Sequence, residues 1–338
     1  MKKESTSSMV TVHEVARVAG VSAATVSRFL NGTARVSVEK RQAIESVIDK
    51  LNYKPNVLAQ NLKTGSSRTI GVLTQSLMSG YFGDALAGVD DALQGTGYAP
   101  LIVSGHWHPD EEAERIDLLI ARRIDGLVIL SGKLKDAQIL KLAHRVPIVA
   151  FGRELNGPRA YGFSLDNYQG ACLAVEHLIL QGHRNIAFIA GPSDHLDALA
   201  RLAGYRDTLA KHRIKEKQQL VVSGDFQESG GLLAVERLLE SGQRFSAIFC
   251  ANDLTAYGAR LALYRRGIRV PEDISVVGFD DLHSSMYTTP PLTTVRQPLF
   301  DVGQCLGRAI VKMIGNEPID MEAPRLNLVV RESVRRIT

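Results

Sequence analysis

From residue 70 onward the chain repeats one unit, a short apolar run followed by a stretch with helical spacing. "TIGVLTQ", "APLIVSG", "DGLVILS" and "PIVAFG" alternate with segments such as "EEAERIDLLIARR". After "AYGFSL" a second series begins, with "NIAFIAG", "QLVVSGD", "SAIFCAN" and "ISVVGFDD". Strands apolar on both faces and joined through helices predict parallel sheets covered on both sides. Two successive series predict an α/β core of two doubly wound lobes. Ligands of such folds sit outside the carboxyl ends of the strands, so the cleft between the lobes is the expected pocket.

Residues 10–54 follow a different pattern, that of three short helices. Thr11 to Glu14 fits a capping box, and Val12, Val15 and Ala16 give the first helix an apolar face. Gly20 suits a turn with positive φ, and Ser22 suits the N-cap of a second helix whose inward face is Val26, Phe29 and Leu30. Ser37 is the expected cap of a third, sealed by Ile44, Val47, Ile48 and Leu51. The spacing is that of a helix-turn-helix. Residues 55–69 then read as a hinge: Pro55 and Asn56 suit a helix start, Val57 to Lys63 allow about two turns, and Gly65-Ser66-Ser67 ends them. A helix this short is marginal alone in water, so it is expected to form only when supported.

Charge separates these regions. Residues 1–68 carry 11 Lys/Arg against 5 Asp/Glu, a net +6, whereas the remainder is at −2. A small basic head on a near-neutral body points to a polyanionic partner for the head. Cys172, Cys250 and Cys305 form no CxxC pair or even framework and fit a reducing compartment. "MKKESTSSMV" has no apolar run behind its lysines, and no stretch approaches the ~20 apolar residues of a membrane span. A cytoplasmic location is expected.

Eight motifs, in order, resemble the lactose-repressor/galactose-repressor family of bacterial transcription regulators. They are "VTVHEVARVAGVSAATVSRFLNG", "YKPNVLAQNL", "LILQGHRNIAFIAGP", "ARLAGYRDTL", "FCANDLTAYGA", "VPEDISVVGFDD", "PPLTTVRQP" and "VVRES", spanning about Thr11 to Ser333. The resemblance implies a helix-turn-helix head at 10–54, a hinge helix at 55–69 and a core at 70–338 like the periplasmic sugar-binding proteins. The family pattern puts the N-terminal lobe at about 70–165 and 296–322, and the C-terminal lobe at about 166–295 and 323–338.

The resemblance also implies functional residues. Ala23, Ala24 and Arg28 stand where the family reads bases. Arg28 fits a fork onto guanine or a phosphate contact; the alanines fit methyl contacts to thymine or serve as spacers. Ser22, Thr25 and Asn31 stand at phosphate-bonding positions. Leu62 stands where the family wedges a minor-groove base step, with Lys63 beside it. Paired heads imply a homodimer on a near-palindromic double-stranded DNA operator. The effector positions carry over to Arg201, Asn252 and Asp280, a set suited to sugar hydroxyls that both donate and accept. Further candidates are Arg153, Phe226, Tyr81, Phe82 and Gln297. Ser79-Gly80 stands where many relatives have Asn-Pro, and Gly152 where many have an acid.

The expected function is a repressor of a carbohydrate operon, switched by a small sugar or sugar phosphate. A purine-like corepressor is the alternative within the class, and a sugar-binding protein without a regulatory role is the alternative outside it. No GxGxxG or GxxxxGK[ST] follows the first strand, and HExxH and GxSxG are absent, so neither an enzyme nor a cofactor is expected. Asp280-Asp281 has the form of a paired carboxylate but lacks an accompanying nucleophile motif. Trp107 fits either a sugar-stacking or a rim residue. His106, His108 and Asp110 superficially resemble metal ligands, yet no metal is expected from two histidines in one loop. The end "VVRESVRRIT" carries no leucine heptads, so a dimer rather than a tetramer is expected.

Overall fold

A computed structural model describes residues 10–31, 36–53 and 65–337, and the chain divides into two compact units, Met1–Ser67 and Arg68–Thr338. The hinge residues Leu62 and Lys63 lie outside the described residues. The first unit holds α1 (Val12–Val18), α2 (Ala23–Asn31) and α3 (Val38–Leu51). Thr11 caps α1, its hydroxyl accepting the Glu14 amide at 3.3 Å. Gly20 turns the chain at φ +65°, a conformation that a Cβ would strain. Val15, Val26 and Ile44 are fully buried and form the core with Ala16, Val47 and Tyr53. Ser37 stands at the start of α3, but its side chain makes no capping bond.

The second unit contains two six-stranded sheets. The N-terminal lobe has β1 (Thr69–Thr74), β2 (Ala99–Ser104), β3 (Gly126–Leu130), β4 (Ile148–Phe151), β5 (Leu155–Gly157) and β6 (Ala160–Phe163), in the order β2-β1-β3-β4-β6-β5. The C-terminal lobe has β7 (Ile186–Ala190), β8 (Val221–Ser223), β9 (Ala247–Cys250), β10 (Ser275–Asp280), β11 (Thr293–Arg296) and β12 (Asn327–Val329), in the order β8-β7-β9-β10-β11-β12. Each sheet is parallel except for one antiparallel edge strand, β5 or β12. In each the first strand lies between its second and third, which is the doubly wound order with a crevice at the switch point.

The linking helices are α4 (Gly80–Leu93), α5 (Pro109–Ala121), α6 (Asp136–Leu142), α7 (Asn167–Leu180), α8 (Leu196–Lys211), α9 (Glu228–Glu240), α10 (Asp253–Arg265) and α11 (Leu299–Ile314). Strand side chains alternate between two cores: Ile70, Val72 and Val128 face one, while Leu73, Leu127 and Ile129 face the other. That is the double burial expected of the apolar runs. The edge strands differ. "APLIVSG" and "QLVVSGD" are only partly covered, because an outermost strand has one neighbour and lies at the margin of the covering helices.

The chain crosses between lobes three times. It leaves the first sheet after β6, and α7 packs in the second lobe. From β11 it returns, and α11 packs on the first sheet through Val302, Leu306 and Ile310. Finally it pairs as β12 against β11. Helices α4 and α11 meet backbone to backbone: a Cβ on Gly303 would lie 2.0 Å from the Ala85 carbonyl oxygen, and one on Gly88 2.0 Å from that of Phe300. The Gly303→Ala variant is therefore expected to lose about 1–3 kcal/mol by forcing the helices apart. A thermal melt should show a drop of several degrees; an unchanged Tm would mean the helices separate without cost.

Candidate functional site

On the head, Ser22 is a working N-cap, its Oγ accepting the Thr25 amide at 3.2 Å and lying 2.8 Å from Thr25 Oγ1. Both hydroxyls are thus engaged with each other, which fixes the start of α2. Ala23 is partly buried and packs on the head's core. Ala24 and Arg28 are exposed, and their four-residue spacing puts them on one face of α2. Among the described residues Arg28 makes no ion pair. Asn31 ends α2, and its side chain lies outside the described residues. The two alanines therefore divide: Ala24 stands on the presented face, and Ala23 helps hold that face to the core.

In the core, the cleft-facing ends of the strands gather a buried polar cluster. Arg201 enters from the middle of α8 and is 3% exposed. Its guanidinium lies 3.7 Å from the centroid of Phe279 and 5.6 Å from that of Phe226. Its Nε donates to Asn167 Oδ1 at 2.9 Å and its Nη1 to the Ala251 carbonyl, with Asp280 Oδ1 3.8 Å away. Asp280 ends β10 at φ +117°, and Gln297, on the second crossing, donates to it at 2.6 Å. Tyr81, from the first turn of α4, donates to Gln297 Oε1 at 3.5 Å. Tyr81, Gln297, Asp280 and Arg201 thus link the two lobes across the base of the cleft.

Burial governs the electrostatics there. It pushes the Asp280 carboxyl up to about 8, against the opposing pull of Arg201. It also raises the Tyr81 hydroxyl well above its ordinary range, assisted by Asp197 and Asp280. The neighbouring Asp281 points elsewhere, ion-paired with Arg296 at 2.6 Å and Arg331 at 2.7 Å. The two aspartates therefore share no site, and the paired-carboxylate form seen in the sequence has no structural counterpart.

Other expected residues hold the cluster rather than line it. Asn252 caps α10 by accepting the Thr255 amide at 3.0 Å, while its Nδ2 donates to the Phe226 carbonyl at 3.0 Å. That bond fixes Phe226 at φ +64°, with its ring against Arg201 and 5.4 Å from that of His195. Phe82 is buried in the N-terminal core, edge-on to Tyr81. Arg153 is committed within its own lobe, to the carbonyls of Gly132 and Leu134 and to Asp136. Trp107 is on the cleft side, its ring 5.5 Å from that of His195. His106 pairs with Glu111 at 2.8 Å, and no group of three metal-ligating side chains occurs among the described residues.

Sequence reasoning missed Gln75, Glu112, Asn167, His195 and Asp253. Glu112 is fully buried and lies on the same stripe of α5 as Ile116 and Leu119. An acid on an apolar stripe was the available signal. Asp253 is also fully buried, accepting from the Leu282 amide, Ser285 and Thr294 and so bracing the loop after Asp280. His195 Nδ1 is buried without a hydrogen-bond partner among the described residues, 4.0 Å from Asp197.

Residues 11–56 match bacterial regulatory proteins, lacI family, and residues 67–332 match periplasmic binding proteins and sugar binding domain of LacI family. The chain belongs to the LacI family. The HTH-type transcriptional regulator AscG of Escherichia coli strain K12 is 37% identical, over 91% of this chain and 94% of AscG. The HTH-type transcriptional repressor PurR of Mannheimia succiniciproducens is 31% identical, over 97% of this chain and 100% of PurR. The crystal structure of the lac repressor dimer bound to operator and the anti-inducer ONPF is similar with a TM-score of 0.87 and 30% identity, over 97% of this chain and 100% of that one. Among the described residues of this LacI-family chain, no helix is long and apolar enough to cross a membrane.

The raised Asp280 carboxyl has a measurable consequence. The folded chain keeps that proton to pH ~8, whereas an unfolded aspartate releases it near pH ~4. The unfolded state binds fewer protons across that window, so stability falls as pH rises. Asp253, raised to about 6, shares the lower part of the window, and buried histidines with lowered values oppose it there. Between pH ~7.5 and ~8, above the range of the histidines and below that of the buried thiols, the slope belongs chiefly to Asp280. Wild-type Tm should fall across that range and the Asp280→Asn variant should stay level; parallel curves would refute the assignment.

Proposed function

We propose that this chain is a dimeric transcriptional repressor that binds a near-palindromic operator through its head and a small sugar through its core. The effector reading is carried by one observation, the convergence of Tyr81, Gln297, Asp280 and Arg201 on the cleft from both lobes. Such a set supplies both donors and acceptors at the strand ends, where ligands of this fold bind. Asn252 acts by seating Phe226, and Arg153 by bracing the β3–α6 loop. On the head, Arg28 contacts a guanine edge and Ala24 a thymine methyl, while Ser22, Thr25 and Asn31 serve phosphates. Leu62 and Lys63 act in the minor groove.

Dimerisation is supported by exposed apolar side chains on the C-terminal lobe, Leu261 and Tyr264 of α10 and Met286 and Tyr287 in the segment that α10 contacts through Tyr257–Ser285 and Arg260–Thr288. Tyr264 is 80% exposed and Tyr287 70%. The role is regulatory and cytoplasmic, with no catalytic step. Effector binding changes the angle between the lobes, and the paired hinge segments respond to their own separation.

The test uses the full chain in two arms. A thermal-shift screen of sugars, sugar phosphates and nucleobases should return a sugar that raises Tm. Arg28→Ala should weaken operator binding roughly 5- to 150-fold, the worth of a bidentate base contact, without altering that sugar's affinity. A shift from nucleobases alone would overturn the sugar assignment, and unchanged operator binding would overturn the role of Arg28.

A further inference from the structure

The cleft mouth carries contacts that the operator-and-effector reading does not use. Lys133, in the loop after β3, reaches Asp194, in the loop after β7, at 2.5 Å. Trp107, in the loop after β2, sets its ring against His195, the residue before α8. Both contacts pair one residue of the N-terminal lobe with one of the C-terminal lobe. The aromatic contact extends on either side, to Phe82 at 6.2 Å from Trp107 and to Phe226 at 5.4 Å from His195.

The N-terminal side of this bridge is built in advance. Glu112, fully buried, accepts the Lys133 amide at 2.9 and 3.0 Å and the Leu134 amide at 3.0 Å. Gln75, 1% exposed, accepts the Trp107 amide at 2.7 Å and donates to the Ser131 carbonyl at 3.1 Å. A Cβ on Gly132 would meet both Glu112 Oε2, at 2.8 Å, and Gln75 Nε2, at 3.1 Å. The two loops also hold strained backbone, with φ of +52° at His106, +61° at Trp107 and +64° at Ser131. Non-glycine residues adopt that region at a cost, and such strain persists where the surroundings over-determine it. Here two buried polar side chains hold both loops and present Trp107 and Lys133 together.

We propose that Trp107 and Lys133, presented by Gln75 and Glu112, form with His195 and Asp194 a latch that holds the lobes together at the cleft mouth. The ion pair is solvent-facing, with Asp194 69% exposed, so its contribution is small and the latch is reversible. It sets the resting ratio of closed to open lobes. What that ratio does rests on the reading of the cleft as the effector site: an effector would work with or against the latch, and the DNA-binding state would follow.

Trp107 is the only tryptophan, so its fluorescence reports the latch directly. Acrylamide quenching of the full chain should be measured for wild type, Lys133→Met, Asp194→Asn and the charge swap Lys133→Glu with Asp194→Lys. Each single variant should shift the open-to-closed ratio roughly two- to fivefold, the range open to an exposed ion pair, and raise Trp107 quenching. The swap should restore wild-type quenching. Unchanged quenching in both single variants, or a swap no better than either, would overturn the latch. Operator affinity of the same variants separates the two readings. If quenching responds while operator affinity does not, the latch stands and the coupling of lobe angle to DNA fails.

Discussion

Arg201 lies on the face of Phe279, ringed by Asn167, the Ala251 carbonyl and Asp280. Burying a guanidinium without partners costs several kcal/mol, so each of these groups must be in place for the core to close. Their positions explain why so much depends on one side chain. Asn167 begins the helix reached by the first crossing, Ala251 follows β9, and Asp280 ends β10. Through Gln297 the same network reaches the second crossing, and through Tyr81 it reaches the other lobe. The charge therefore joins the strand ends to a segment that crosses between the lobes. On the proposed function, a ligand hydroxyl entering this cluster exchanges with existing bonds, and binding is thereby coupled to lobe geometry.

Around that centre the protein spends buried polarity on position. Asp253 braces the loop beyond Asp280, Asn252 seats Phe226, and Glu112 with Gln75 hold the loops at the cleft mouth. Buried polar groups of this kind are satisfied almost completely or not tolerated, so they impose discrete arrangements rather than gradual ones. Discrete arrangements are what a switch between lobe angles needs. The close seam between α4 and α11 ties these two helices together within the N-terminal lobe.

Much of this was legible in the sequence, for physical reasons that differ by region. Apolar runs announce parallel strands, and those at β2 and β8 do pair in parallel, but they lack cover on both faces because an edge position relaxes that demand. Thr11, Gly20 and Ser22 declared themselves because caps and turns are local chemistry. Arg201, Asp280 and Gln297 were found through family resemblance and do converge. Local pattern could not separate Ala23 from Ala24, since one residue of helical phase decides which methyl meets the core. Nor could it show that Asn252 and Arg153 are committed to backbone carbonyls, or that Gln75 and Glu112 are buried partners of loops distant in sequence. Those facts belong to tertiary contact alone.

On the proposed function, the cleft and the operator-binding head are linked through the lobes. Linkage makes that claim reciprocal: if the effector alters operator affinity, the operator must alter effector affinity by the same factor. The direct measurement is a titration of the Tm-raising sugar into the dimer, with and without saturating operator DNA. The two affinities are expected to differ by about 5- to 150-fold, matched by the change in operator affinity at saturating sugar. Equal sugar affinities in the two titrations would contradict the linkage, leaving a sugar-binding core and a DNA-binding head that do not communicate.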